Sequence, residues 1–137
     1  MNRFFYKSDS GMAPKAIAII DDEIDLVELF QEMLEMNDFK VSTFIDPIQA
    51  FNTLEKKIHE YGLILSDFSM PNLNGHELGT KLKQLNPELE VILMSAYDTI
   101  ESNTSKFTFI KKPIHVTQLV KIVRDSMKKN TVHNDNN

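Results

Sequence analysis

Two hydrophobic periods alternate along this chain. Residues 16–21 form a short apolar run that stops at acid, the pattern of a strand buried on both faces of a parallel sheet. Leu26, Leu29, Phe30, Met33 and Leu34 then recur at helical spacing, and 40–44 reads as a second strand. Asp46 precedes Pro47, which predicts an N-cap followed by proline at the first helical position, with Ile48, Phe51, Leu54 and Ile58 as the apolar stripe of that helix. Residues 62–67 form a third strand ending in acid. A third helix is predicted over 75–85, with Leu78, Leu82 and Leu85 on one face. Strands are predicted at 89–95 and 107–111, and Val116, Leu119, Val120, Val123 and Met127 mark a last amphipathic helix.

Strand and helix alternate throughout, so the predicted class is α/β with a parallel sheet and right-handed crossovers. Residues 1–15 read as a flexible arm carrying Phe4, Phe5 and Tyr6 beside Arg3 and Lys7. Residues 16–128 read as one folded domain, and the Asn-rich segment 129–137 as a disordered tail. Ligand sites in such sheets lie at the carboxyl ends of the strands. Asp21, Asp22, Asp67, Ser95 and Lys112 all stand at or just past strand ends, so all five are predicted to converge on one edge.

Composition narrows the chemistry. The 137 residues suffice for one domain and include no cysteine, which removes disulfides, thiolate metal sites and thiol nucleophiles and fits a reducing compartment. A net charge of −5 argues against binding along a nucleic-acid backbone. The longest purely apolar run, residues 16–20, is too short to span a bilayer, and no apolar stretch of signal-peptide length opens the chain. A soluble, cytoplasmic protein is the expectation.

Each candidate residue has a structural alternative. Asp22 would serve equally as the N-cap of a helix beginning near Glu23, and a strand-ending Asp67 is common turn chemistry. Lys112 beside Lys111 is on its own a solvated lysine, and Ser95 a cap for the segment after it. Together they weigh differently. Three carboxylates at one edge repel each other, and a divalent cation relieves the repulsion. With oxygen donors alone on offer, a hard ion such as Mg²⁺ is favoured. Lys112, directly before Pro113, would balance the charge of an incoming phosphoryl group, and Ser95 would donate to one of its oxygens.

The segment Leu65-Ser66-Asp67-Phe68-Ser69-Met70-Pro71-Asn72-Leu73-Asn74-Gly75 contains D-x-x-M-P-x-x-x-G. With Ile19-Ile20-Asp21-Asp22-Glu23, Leu93-Met94-Ser95-Ala96 and Phe109-Ile110-Lys111-Lys112-Pro113, it resembles the receiver domains of two-component response regulators over residues 16–128. The resemblance implies a flavodoxin-like, doubly wound, five-stranded parallel sheet with helices on both faces. It makes Asp67 the phosphoacceptor, supplied by a histidine kinase or phosphotransfer protein. Mg²⁺ would be held by Asp22, Asp67 and the Ser69 backbone carbonyl, with Asp21 acting through water. Lys112 and Ser95 would contact the phosphoryl group, the Lys112-Pro113 bond would be cis, and Phe109 would be the aromatic that swings inward.

The chain departs from the family pattern over 97–106. The crossover there is short, holds Ile100 as its one aliphatic residue, lacks the Gly-Ala turn, and predicts a fourth helix that is shortened or absent. No second core follows Met127, so no direct DNA binding is expected, and the output would be a relay or a protein-binding switch. Rival readings are a pseudo-receiver acting as a phosphorylation-independent interaction module, and an aspartyl-phosphate phosphatase. The phosphatase would call for Asp-x-Asp, whereas the chain has adjacent Asp21-Asp22. A nucleotide-binding domain would call for a Gly-rich loop after the first strand, which the sequence does not have.

Overall fold

In the computed structural model, which describes residues 14–97 and 107–135, with side chains to 128, the five strands are β1 (Ala16–Ile20), β2 (Lys40–Phe44), β3 (Tyr61–Asp67), β4 (Glu90–Ser95) and β5 (Thr108–Lys111). The helices are α1 (Ile24–Met36), α2 (Pro47–Leu54), α3 (Gly75–Leu85) and α4 (Val116–Asp135), and a 3₁₀ segment, Glu55–Glu60, follows α2. All strand pairs are parallel, in the order β2-β1-β3-β4-β5. This is the flavodoxin-like order, and the chain reverses direction across the sheet between β1 and β3. The expected shortened fourth helix falls within 98–106, outside the described residues.

Strand side chains alternate between two cores, as the pleat requires. Ile17, Ile19, Leu63, Leu65, Ile92 and Met94 face α1 and α4, where Phe30, Leu34, Leu119 and Val123 close over them. Ala18, Ile20, Ile64 and Leu93 face the opposite side, against Ala50, Leu54, Leu78 and Leu82 of α2 and α3. Because β1 and β3 are covered on both faces, their residues are buried throughout, which is why β1 reads as an unbroken apolar run.

Several local expectations change. Leu29, Ile48 and Leu85, assigned to buried stripes, are 42%, 43% and 44% exposed. Val27, Ala50 and Gly79 are buried instead. At Gly79 helix α3 lies close on the sheet, where an added Cβ would meet Val91 Cγ1 at 2.8 Å. Helix α2 stops at Leu54, and the chain tightens into the 3₁₀ segment, which still delivers Ile58 to the core. The Asp46 cap and the proline at the start of α2 are as expected, with Asp46 accepting the Gln49 N–H. Helix α4 carries helical backbone to Asp135, into the segment read from sequence as a disordered tail. Among the described residues, no helix is long and apolar enough to cross a membrane.

Candidate functional site

The site forms where β1, β3, β4 and β5 end. Register sets it: Ile20 lies opposite Ser66, Asp67 opposite Met94, and Ser95 opposite Lys111. Residues one step beyond these pairs are therefore gathered at a single edge. The Asp21 N–H donates to the Phe44 carbonyl at 3.1 Å, which fixes the peptide leaving β1. The Lys112 N–H donates to the Ser95 carbonyl at 2.7 Å and fixes the exit of β5. The Lys112-Pro113 bond is cis.

Asp21 is fully buried, Asp67 nearly so, and Asp22 exposed. One carboxylate oxygen from each of the three lies within 4.8 Å of the others. The Lys112 ammonium reaches Asp21 Oδ2 at 2.9 Å, Glu23 Oε1 at 3.1 Å and Asp67 Oδ1 at 3.4 Å. The other oxygen of Asp21, Oδ1, accepts the Glu23 N–H at 3.0 Å. The helix-cap reading of Asp22 is corrected: Glu23 occupies the cap position, so Asp22 stands outside α1.

Ser95 is buried at the end of β4, and its Oγ accepts the Tyr97 N–H at 3.1 Å. That bond leaves the hydroxyl proton to donate elsewhere, and the segment that Ser95 would cap lies outside the described residues. Ser69 is exposed in the turn after Asp67. Phe109 is partly buried, its ring centroid 5.9 Å from that of Phe68. Two participants were not drawn from the sequence as such, the Glu23 carboxylate on Lys112 and the ring of Phe68. Both depend on neighbours dozens of residues away, and no local pattern announces them.

Electrostatics favour a cation here. Burial raises the Asp67 carboxyl above its ordinary value and the Asp21 charge raises it further, while Lys112 offsets only part of the rise. Burial alone would lower the Lys112 ammonium, but its hydrogen bonds and charges from Asp21, Glu23 and Asp67 hold it above the ordinary range. The site thus carries more negative charge than one lysine neutralises, and its donors are all oxygen. That donor set fits Mg²⁺.

A raised carboxyl binds its proton more tightly in the folded than in the unfolded chain. Ionised Asp67 therefore costs stability above that value, and the cost is relieved as pH falls through it. Asp67→Asn is expected to raise the melting temperature of the Mg²⁺-free protein at pH 7. The gap should narrow as the pH is lowered through the Asp67 titration. Calorimetric melts across a pH series check this, and an unchanged or lower melting temperature for the variant at pH 7 would contradict it.

Residues 17–124 match the family described as the response regulator receiver domain. The chain belongs to this family. Among curated proteins, it is similar to the C4-dicarboxylate transport transcriptional regulatory protein DctD of Rhizobium meliloti (strain 1021), 30% identical over 85% of this chain and 26% of that protein. It is also similar to the response regulator SaeR of Staphylococcus aureus (strain USA300), 28% identical over 76% of this chain and 46% of that protein. The chain thus spans half or less of the length of these relatives. A CheY-like receiver domain protein from Methanospirillum hungatei JF-1 shares the fold, with a TM-score of 0.78 and 23% identity over 86% of this chain and 97% of that one. The receiver is a phosphoacceptor signalling module of two-component systems, and its fold and motifs are those found here.

Proposed function

We propose that this receiver takes a phosphoryl group on Asp67 from the phosphohistidine of a histidine kinase or phosphotransfer protein, with Mg²⁺ bound. The observation that carries the reading is the Lys112 ammonium, which bridges buried Asp21 and Asp67 beside a cluster of three carboxylates. An Asp67 oxygen attacks phosphorus, the new P–O bond forms as the P–N bond breaks, and the imidazole leaves with the electron pair. A carboxylate nucleophile needs no general base, and the Lys112 ammonium favours its ionised form. Phosphoryl transfer asks mainly for alignment and charge neutralisation. Lys112 supplies the second directly, and Ser95 has a hydroxyl proton to donate to a phosphoryl oxygen.

Asp22, Asp67 and the Ser69 carbonyl would hold Mg²⁺, which when bound neutralises charge on the oxygens of the transferring group. Both oxygens of Asp21 already carry hydrogen bonds, one from Lys112 and one from Glu23, which suits an indirect role through water. Phosphorylation would then draw Ser95 toward Asp67 and shift the ring of Phe109. The net charge of −5 argues against binding along a nucleic-acid backbone, which favours an output of this domain through protein contacts. The cysteine-free composition suits the reducing cytoplasm, where the reading places the protein.

Titration calorimetry tests the metal arm. Mg²⁺ should bind one site in the unmodified chain, with a loss of at least roughly tenfold in Asp22→Ala, the size of a lost carboxylate contact. Equal affinity in the two proteins would remove Asp22 from the ligand set.

A further inference from the structure

Phe68 follows Asp67 directly, and its ring lies 5.9 Å from that of Phe109, inclined at 58°. That tilted geometry is one that ring quadrupoles favour. Both rings are partly buried and pack on the core shared with α2 and α3. The backbone of Phe68 is held on both sides. Its N–H donates to the Met94 carbonyl at 2.7 Å, and its carbonyl accepts the Gly75 N–H at 2.8 Å. Phe109 stands on β5, which among the described residues is an edge strand paired with β4. Its near neighbour Phe107 is engaged differently, buried with its ring centroid 5.4 Å from that of His76. The backbone that carries the Phe68 ring is thus held, and the ring of Phe109 meets that ring at a tilt.

We propose that Phe68 is a positioning residue: its ring contact holds Phe109 in the half-buried setting of the phosphoryl-free chain and joins the phosphoacceptor end of β3 to β5 by a route that does not pass through Ser95. This rests on the reading of Phe109 as the switch residue of the Asp67 site. Besides the ion pair from Lys112 to Asp67, two links to β5 then emerge from one edge. One runs through the Ser95 carbonyl and the Lys112 N–H, the other through the two rings. The second begins at the residue covalently joined to Asp67, so a small shift of that carboxylate on phosphorylation reaches Phe109 through a single side chain.

The test places 4-fluorophenylalanine at position 109 of the full chain and reads its ¹⁹F signal without phosphodonor, then with acetyl phosphate and Mg²⁺. Phe68→Leu keeps apolar bulk but removes the ring, Phe68→Tyr keeps the ring, and circular dichroism melts establish that both fold. In the phosphoryl-free state the Tyr variant should match the parent. The Leu variant should shift toward the solvent-exposed position, with roughly a two- to tenfold change in the ratio of ring populations, the size an aromatic pair carries. A Leu variant whose resting signal coincides with the parent would overturn the proposal. The resting comparison needs no phosphoryl transfer. A parent that takes up no phosphoryl group would therefore count against the proposed function, while the resting spectra would still decide the role of Phe68.

Discussion

Gly75→Ala is expected to destabilise the domain by about 3 kcal/mol and to impair the site with it. The first residue of α3 lies so close to β3 that an added Cβ would meet the Asp67 carbonyl oxygen at 2.3 Å, the Asp67 carbonyl carbon at 3.1 Å and Leu93 Cδ2 at 3.1 Å. The first obstacle is backbone, which has no rotamer to yield. Helix α3 would have to lift from the strand end, breaking the bond from the Gly75 N–H to the Phe68 carbonyl and moving the peptide that carries Asp67. Gly79→Ala is the control. There the new Cβ meets Val91 Cγ1 at 2.8 Å and Phe107 Cε2 at 3.2 Å, both side-chain atoms, and alanine is the better helix former. Urea unfolding of the two variants should show Gly75→Ala to be the costlier by at least about 1 kcal/mol. Equal costs would mean that the close approach to Asp67 does not constrain the fold. Mg²⁺ titration of Gly75→Ala should show weakened binding although no ligand was altered.

Lys112→Met should cost about 3 kcal/mol at neutral pH, for a different reason. It leaves Asp21, with its side chain 1% exposed, as a buried charge without its cation. Removing the anion as well should restore part of the loss, so Asp21→Asn combined with Lys112→Met is expected to be more stable than Lys112→Met alone. The dependence on pH has a definite sign. The Lys112 ammonium is held above its ordinary value of 10.5 in the fold. Its stabilising contribution is therefore complete below that ordinary value and is lost as pH rises through the higher folded value. The gap between parent and Lys112→Met should persist across the neutral range and close only in strong alkali. Denaturant midpoints at several pH values check this. A double variant no more stable than Lys112→Met would contradict the account of Asp21 as an orphaned charge.

Much of this architecture is legible in the sequence because local and long-range signals agree. The apolar run at residues 16–20 and the apolar residues 63–65 reflect a sheet covered on both faces, and acid stands where each strand leaves the core, at Asp21 and Asp67. The Asp46-Pro47 start of α2 and the opening of α3 at Gly75 are written in residues a few positions apart. The buried stripes keep the predicted helical phase, with Phe30, Leu34, Leu54, Leu78 and Leu82 in the core, but are narrower than the apolar pattern. Leu29, Ile48 and Leu85 look like core, but burial follows closeness of approach, and Ala50 and Gly79 take the tight positions that hydrophobicity alone does not mark. The convergence of Asp21, Asp22, Asp67, Ser95 and Lys112 on one edge followed from strand order. The ion pair from Lys112 to Glu23 and the tilted ring contact of Phe68 with Phe109 did not, because each joins residues whose neighbourhood exists only once the sheet has formed.

The central claim is that Asp67 accepts a phosphoryl group in a Mg²⁺-dependent reaction. Intact-protein mass after incubation with acetyl phosphate tests it most directly, with and without Mg²⁺ and beside an Asp67→Ala control. The account predicts one added phosphoryl group, present only when both Mg²⁺ and Asp67 are present. An adduct that persists in Asp67→Ala or forms equally well without Mg²⁺ would contradict it.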